Sequence, residues 1–150
     1  ETFLKLERNN FILKIIGDGP VLNKLRSKFE SSQVNFTGEI SNEDTLSIIS
    51  NSRAVVTATK LLEGQPTLLC EASSLGVPSI FPRTGGISEF FPVDDLFSFE
   101  QFNYSELVEN LKLINDKKII KVSGIKNKKF IEKKLNPKNL HLHYETILND

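Results

Sequence analysis

The chain has 150 residues, 19 basic and 19 acidic side chains, one Cys, no Trp and no Met. That length suits one domain burying roughly 68–70% of its unfolded surface, so no disulfide or metal staple is required. An apolar share of 39% excludes a disordered chain, and no apolar run is long enough for a membrane-crossing helix.

One Cys cannot make an internal disulfide. No charged-then-apolar signal peptide opens the chain. With no Met, the opening Glu1-Thr2-Phe3 leads us to expect either a removed start or a piece of something longer. The balanced charge is unevenly spread. Residues 86–116 hold seven acids and one base, Lys112, whereas residues 117–138 hold nine Lys against Glu132 alone. A solvated helix face explains the Lys-rich stretch. An anionic membrane surface is the other reading, since each Lys near one is worth about 1 kcal/mol. No aromatic residues interleave as stacking platforms, so nucleic acid is not expected.

In chain order, residues 2–6 read as the tail of a helix. Residues 11–16 are an apolar strand ending in Gly17-Asp18-Gly19-Pro20. Pro20 suits a first helical turn, and Val21, Leu22, Leu25 and Phe29 recur at helical spacing. Residues 34–37 are a second strand closed by Gly38. Ser41 followed by Asp44 marks a helix N-cap, with an apolar stripe up to Asn51. Residues 54–58 are a third, β-branched strand. Residues 66–75 are a helix ended by Gly76. Residues 78–81 are a fourth strand and residues 95–99 a short fifth. Thr84-Gly85-Gly86 is a turn before a short helical piece at residues 87–91. From Ser105 onward the pattern is helical in three segments, broken near Asp116 and Asn136-Pro137. The expected fold class is therefore α/β: a Rossmann-like parallel sheet with helices on both faces.

Open sheets of this kind bind ligands outside the carboxyl ends of their strands. Gly17-Asp18-Gly19 begins like a dinucleotide loop, but Leu22 stands at the sixth position, so the full fingerprint fails. Gly17 and Gly19 are candidates for a phosphate loop, and a tight strand-to-helix turn is the alternative. The turn after the third strand is richer. Glu63 lies in a loop before a helix and Glu71 lies within that helix, with Gly64, Gln65, Pro66, Thr67 and Leu68 between. A helix start offers free N–H groups and a positive dipole end to an anion. Gly64 allows close approach to the backbone. A carboxylate can accept from two neighbouring hydroxyls. Two carboxylates flanking an anion site suit a diphosphate with hydroxyls on both sides, as in a nucleotide sugar. Two surface glutamates near a helix start are the bland alternative, and the residues alone admit both.

The segment Glu-Gly-Gln-Pro-Thr-Leu-Leu-Cys-Glu-Ala, with seven residues between Glu63 and Glu71, closely resembles the paired-glutamate signature of family-4 retaining glycosyltransferases. Gly17-Asp18-Gly19-Pro20, residues 34–38, Leu75-Gly76-Val77-Pro78 and Gly85-Gly86-Ile87-Ser88-Glu89 fall in that family's order and spacing, and residues 130–148 are similar to its closing helices. The resemblance implies the C-terminal, donor-binding half of a two-domain GT-B fold. It implies that Glu63 contacts the donor sugar as the catalytic-site glutamate and that Glu71 holds the ribose hydroxyls. Gly64 and the backbone N–H groups of Gln65, Thr67 and Leu68 would face the diphosphate. Pro66 departs from the commoner Gly and has no N–H to give. Gly38 and Glu39 would line the nucleobase pocket.

The resemblance also implies a nucleoside-diphosphate sugar as substrate, no cofactor and no metal. The acceptor, a carbohydrate or a lipid-linked one, would be held by an N-terminal half outside these residues. So would the family's first strand, with an Arg and a Lys that clamp the phosphates. The expected location is cytoplasmic, with peripheral contact at the inner membrane face left open. The rival readings are a non-catalytic nucleotide-binding or interaction module of the same fold and a GT-B sugar-nucleotide epimerase. His141 and His143 stand on different helical faces and are not expected to share a metal. Cys70 reads as a small core residue. Phe90, Phe91, Phe97 and Phe99 read as core rather than a sugar platform.

Overall fold

The computed structural model describes residues 1–6 and 11–149, without the side chains of residues 142, 143, 146 and 149, so the expectation for His143 lies outside the described residues. Strands β1 (Leu13–Ile16), β2 (Val34–Gly38), β3 (Val55–Val56), β4 (Ser79–Arg83) and β5 (Ser98–Glu100) alternate at first with helices α1 (Leu22–Phe29), α2 (Asn42–Ser50) and α3 (Thr67–Ser74). Helices α4 (Tyr104–Leu113), α5 (Lys117–Lys134) and α6 (Pro137–Asn149) follow. Short 3-10 turns lie at Phe3–Lys5 and Ile87–Phe90. The strand pairs β1·β2, β3·β4 and β4·β5 are all parallel. The α/β class read from the sequence is the one observed.

Local chemistry sets the helix ends. Ser41 Oγ accepts from the Asp44 N–H at 3.0 Å, as the N-cap pattern predicts. Asn103 and Asp116 cap α4 and α5 in the same way. After α3, Gly76 turns left-handed at φ 76°. Its N–H donates to Ser73 O and that of Val77 to Ala72 O, both at 2.9 Å, so α3 stops there.

Strand β4 is buried on both faces. On one face, Ile80 packs with Phe97, Phe99, Leu107, Leu111 and Ile114 beneath α4. On the other, Phe81 packs with Leu69 of α3, Ile87 and Phe91. The Phe81 and Phe91 rings stack at 4.0 Å, a pairing worth about 0.5–1.5 kcal/mol beyond the area buried. Phe91, Phe97 and Phe99 are therefore core, as expected.

Strand limits differ from the sequence reading: β1 begins at Leu13 rather than Phe11, and β2 runs on to Gly38. Only Val55 and Val56 of residues 54–58 pair with β4. Strand β4 continues through Pro82 to Arg83. Thr57 N–H donates to Ile80 O at 3.0 Å, so Ile80 and Pro82 face the β3 side. In this parallel register the next donor to β3 would be the Pro82 N–H, bonding Thr57 O, and because proline has none the β3–β4 ladder ends there. Strand β5 begins at Ser98 because Asp95 Oδ1 accepts from the Phe97 N–H at 2.9 Å and turns the chain there.

The sheet is also divided. Its parts are β1-β2 and β3-β4-β5. A slot of about 740 Å³ separates β1 from β3. Ile12, Lys14 and Ile16 line one edge, and Ala54 and Val56 the other. Leu111 and Ile114 also line it, together with Ile48 and Leu68, so it is bordered by helices of both layers.

Helix α5 lies against the α3–β4 turn through Gly124. A Cβ there would run into Gly76 O, the partner that fixes its close approach. Gly124→Ala is expected to destabilise the fold by about 1–3 kcal/mol. Gly19→Ala, where a Cβ meets nothing within 4 Å, is expected to be tolerated. Denaturant unfolding of the two variants checks this.

Candidate functional site

Helix α3 starts without a cap. Its N-cap residue is Pro66, no side chain bonds to its first turn, and that turn holds no acid. The Leu69 and Cys70 N–H groups both turn back to Pro66 O at 3.0 Å. Thr67 and Leu68, as the first two helical residues, have no intrahelical acceptor for their N–H groups. Gln65 and Thr67 are exposed and Leu68 is 43% exposed, so this positive helix end opens to solvent. Pro66 is buried and anchors the turn.

Glu71 lies one turn along from Thr67, on the same face of α3. Side chains on a helix lean toward its N-terminus, which brings the half-buried Glu71 carboxylate back over the open end. Glu63 stands in the loop that leads into α3. Its Oε1 accepts from Thr59 Oγ1 at 3.2 Å. Its backbone oxygen accepts from the Gly86 N–H at 2.7 Å. Gly64 has open space around it: a Cβ there would meet nothing within 4 Å. The structure thus gathers Glu63, Gly64, Gln65, Thr67, Leu68 and Glu71 around one uncapped helix start.

The other candidates form a separate group. Gly17 N–H donates to Gly38 O at 2.9 Å, joining the carboxyl ends of β1 and β2. Gly17 has φ 121° and Gly38 φ 73°, conformations that favour glycine. Gly19 N–H is engaged by Asp18 Oδ1 at 2.6 Å, and Glu39 is exposed beside Gly38. Among the described residues, no hydrogen bond or ion pair joins this group to the Glu63 loop.

The remaining charged residues have structural partners or lie in solvent. Arg53 donates to Ile114 O at 3.2 Å and sits over the Phe11 ring. Arg83 pairs with Glu106 at 3.3 Å and Glu100 at 3.6 Å. Lys60 is exposed. His141 pairs with Glu145 at 3.1 Å. Among the described residues, no three His, Cys, Asp or Glu side chains gather as a metal site.

Thr59, Gly85 and Gly86 carry more of the site than their sequence suggests. Thr59 stands four residues before Glu63 in a loop, where no periodicity marks it. The contact between Gly86 and Glu63 spans a separation that only the folded chain closes.

The model of the family described as glycosyl transferases group 1 matches residues 1–136. The chain belongs to the glycosyl transferases group 1 family. Solved structures of similar fold include TarM, with a TM-score of 0.82 at 18% identity over 99% of this chain and 31% of that one. A glycosyltransferase from Rickettsia africae gives a TM-score of 0.79 at 18% identity over 99% of this chain and 43% of that one. Anabaena HepE, solved in complex with UDP, gives 0.76 at 15% identity over 93% of this chain and 41% of that one. The group 1 chain described here thus spans 31–43% of the length of these solved chains. A comparison with curated protein sequences gives no match. The Rossmann-like, GT-B-type architecture is common to all of these structures. No helix of the described residues is long and apolar enough to cross a membrane.

Burial pushes the Cys70 thiol up to about 11, with the Glu71 charge adding to the effect. The neutral thiol therefore dominates at pH 8. Cys70 is expected to react with iodoacetamide at that pH far more slowly than a free cysteine, and alkylation followed by mass measurement checks it.

Proposed function

We propose that this chain is the donor-binding part of a retaining glycosyltransferase of hexosyl type. It would move a sugar from a nucleoside diphosphate to a hydroxyl of a carbohydrate or lipid-linked acceptor, in polysaccharide or glycoconjugate synthesis. The observation that carries this reading is the uncapped, exposed start of α3, with Glu63 in the loop that leads into it and Glu71 one turn along from Thr67. HepE has been solved with UDP and with UDP-glucose, which supports the same class of donor for this chain.

The roles follow from the chemistry of each group. Glu71 accepts from the ribose hydroxyls. Glu63 accepts from hydroxyls of the donor sugar. The N–H groups of Gln65, Thr67 and Leu68 face the diphosphate, whose charge grows as the sugar departs. Fixed donors aimed at that charge stabilise the transition state more than the ground state. The carboxylates bind and orient here. They are not an acid/base couple flanking one scissile bond. Gly38 and Glu39 would meet the base, with Gly17 and Gly19 shaping the adjacent loop. No step requires a cofactor or metal. The site would work in the cytoplasm. Helix α5 supports a peripheral contact with an anionic membrane, since its Lys residues flank the exposed Val122 and Ile125.

The same reading makes these residues one part of a longer polypeptide. The slot between β1 and β3 supports it. Leu13 N–H donates toward β2 and Val55 N–H toward β4, so the N–H groups of Lys14, Ile16 and Val56 face the slot. A parallel strand seated there, apolar on both faces, would join the two parts into one sheet in the doubly wound order. In the intact protein the amides of Lys14, Ile16 and Val56 are expected to exchange with solvent as slowly as those of Ile15 and Val55. Much faster exchange on the slot side would contradict the inserted strand.

Calorimetry on the intact protein with UDP, GDP and ADP tests the donor reading. One nucleotide is expected to bind. Glu71→Ala should weaken it by about tenfold or more, the scale of a lost hydrogen bond to a charged group. Failure of all three to bind would overturn the reading. Nucleotide binding without sugar transfer would favour the binding module instead.

A further inference from the structure

We infer that Thr59 is a positioning residue for Glu63, acting together with the Gly85–Gly86 turn. The inference rests on the donor-site role of Glu63 proposed above and goes beyond it, because neither Thr59 nor the glycines need touch a ligand.

The Thr59 hydroxyl is held at both ends. Its oxygen accepts from the Leu61 N–H at 3.1 Å. A hydroxyl that has accepted one N–H still has one proton to give. That proton goes to Glu63 Oε1 at 3.2 Å. The Thr59 carbonyl in turn accepts from Gln101 Nε2 at 3.3 Å, which ties the loop to the residue that follows β5. One oxygen of the Glu63 carboxylate is therefore fixed by the protein. Its Oε2 has no protein donor among the described residues and is the oxygen left to accept from a ligand hydroxyl.

The backbone of Glu63 is gripped from the other side. Gly86 N–H donates to Glu63 O at 2.7 Å. Gly85 sits at φ 52°, a left-handed conformation. A Cβ on Gly85 would collide with Glu63 O and lie 2.8 Å from Glu63 N. A Cβ on Gly86 would come within 3.3 Å of Gly64 O. Glycine at position 85 is thus demanded twice, by its own backbone angle and by the closeness of the Glu63 peptide. A long carboxylate side chain loses rotamer freedom on binding. Holding Glu63 by its backbone and by one oxygen settles that ordering before a ligand arrives. The sugar half of a donor should depend on this device, and the nucleotide half, held at Glu71 and the helix start, should not.

The test compares a nucleoside diphosphate with its sugar conjugate on the intact protein. UDP-glucose, GDP-mannose and ADP-glucose are the probes, each beside its parent nucleotide, measured by calorimetry. Thr59→Val keeps the shape and removes the donor. It is expected to weaken the sugar conjugate by about tenfold while leaving the nucleotide unchanged. Thr59→Ser keeps the hydroxyl and should restore wild-type affinity, which a purely structural role for the methyl group would not predict. Gly85→Ala should repeat the Thr59→Val pattern if it folds, and the Thr59 pair carries the test if it does not. Glu63→Gln separates the two claims. If Glu63→Gln weakens the conjugate and Thr59→Val does not, positioning by Thr59 is wrong and the Glu63 reading stands. If neither variant weakens it, the role of Glu63 falls and the positioning falls with it.

Discussion

Ile80 and Phe81 are neighbours on one strand, yet each belongs to a different half of the core. Ile80 meets Phe97, Phe99 and α4, while Phe81 meets α3, Ile87 and Phe91. Because β4 is sealed on both faces, its position is over-determined, and so is the position of whatever leaves its ends. At its carboxyl end the chain turns through Thr84, Gly85 and Gly86, and this turn grips the Glu63 peptide. At its amino end lies the glycine turn that stops α3. The site loop and the site helix are therefore both referred to a single buried strand.

What the site can do follows from what its helix lacks. A capped helix start would spend its first N–H groups on a side chain. With Pro66 at the cap position, buried and without a donor, the N–H groups of Thr67 and Leu68 face outward together with the positive end of the dipole. Glu63 precedes that end in the loop, and Glu71 follows it one turn into the helix. Isolated acids near a helix start would be a modest stabilising feature. Here one of them is also tied by a hydroxyl, a backbone donor and a glycine contact, which is more constraint than a solvated glutamate needs.

Much of this was legible in the sequence because it depends on near neighbours. Ser41, Asn103 and Asp116 announce their helices, and Gly76 ends one, through bonds within a few residues. Glu63 and Glu71 are local to one loop and one helix, so their spacing could be read directly. The failures have the opposite character. The length of β3 is set by Pro82, which has no N–H for the Thr57 carbonyl, not by the β-branched residues that suggested a longer strand. Pro82 fits inside a strand only because of which side its nitrogen faces. Asp95 shortens β5 by taking a backbone N–H that a strand would otherwise use. The contact of Gly85 with Glu63 and the slot between β1 and β3 arise only when distant segments meet. Composition and periodicity carry no trace of either.

The most direct measurement is a crystal structure of the intact protein with a nucleotide sugar bound. The account predicts the ribose hydroxyls at the Glu71 carboxylate, the diphosphate against the N–H groups of Thr67 and Leu68, and a sugar hydroxyl on the free oxygen of Glu63. A donor whose diphosphate lay away from the start of α3, or whose sugar left Glu63 untouched, would contradict it.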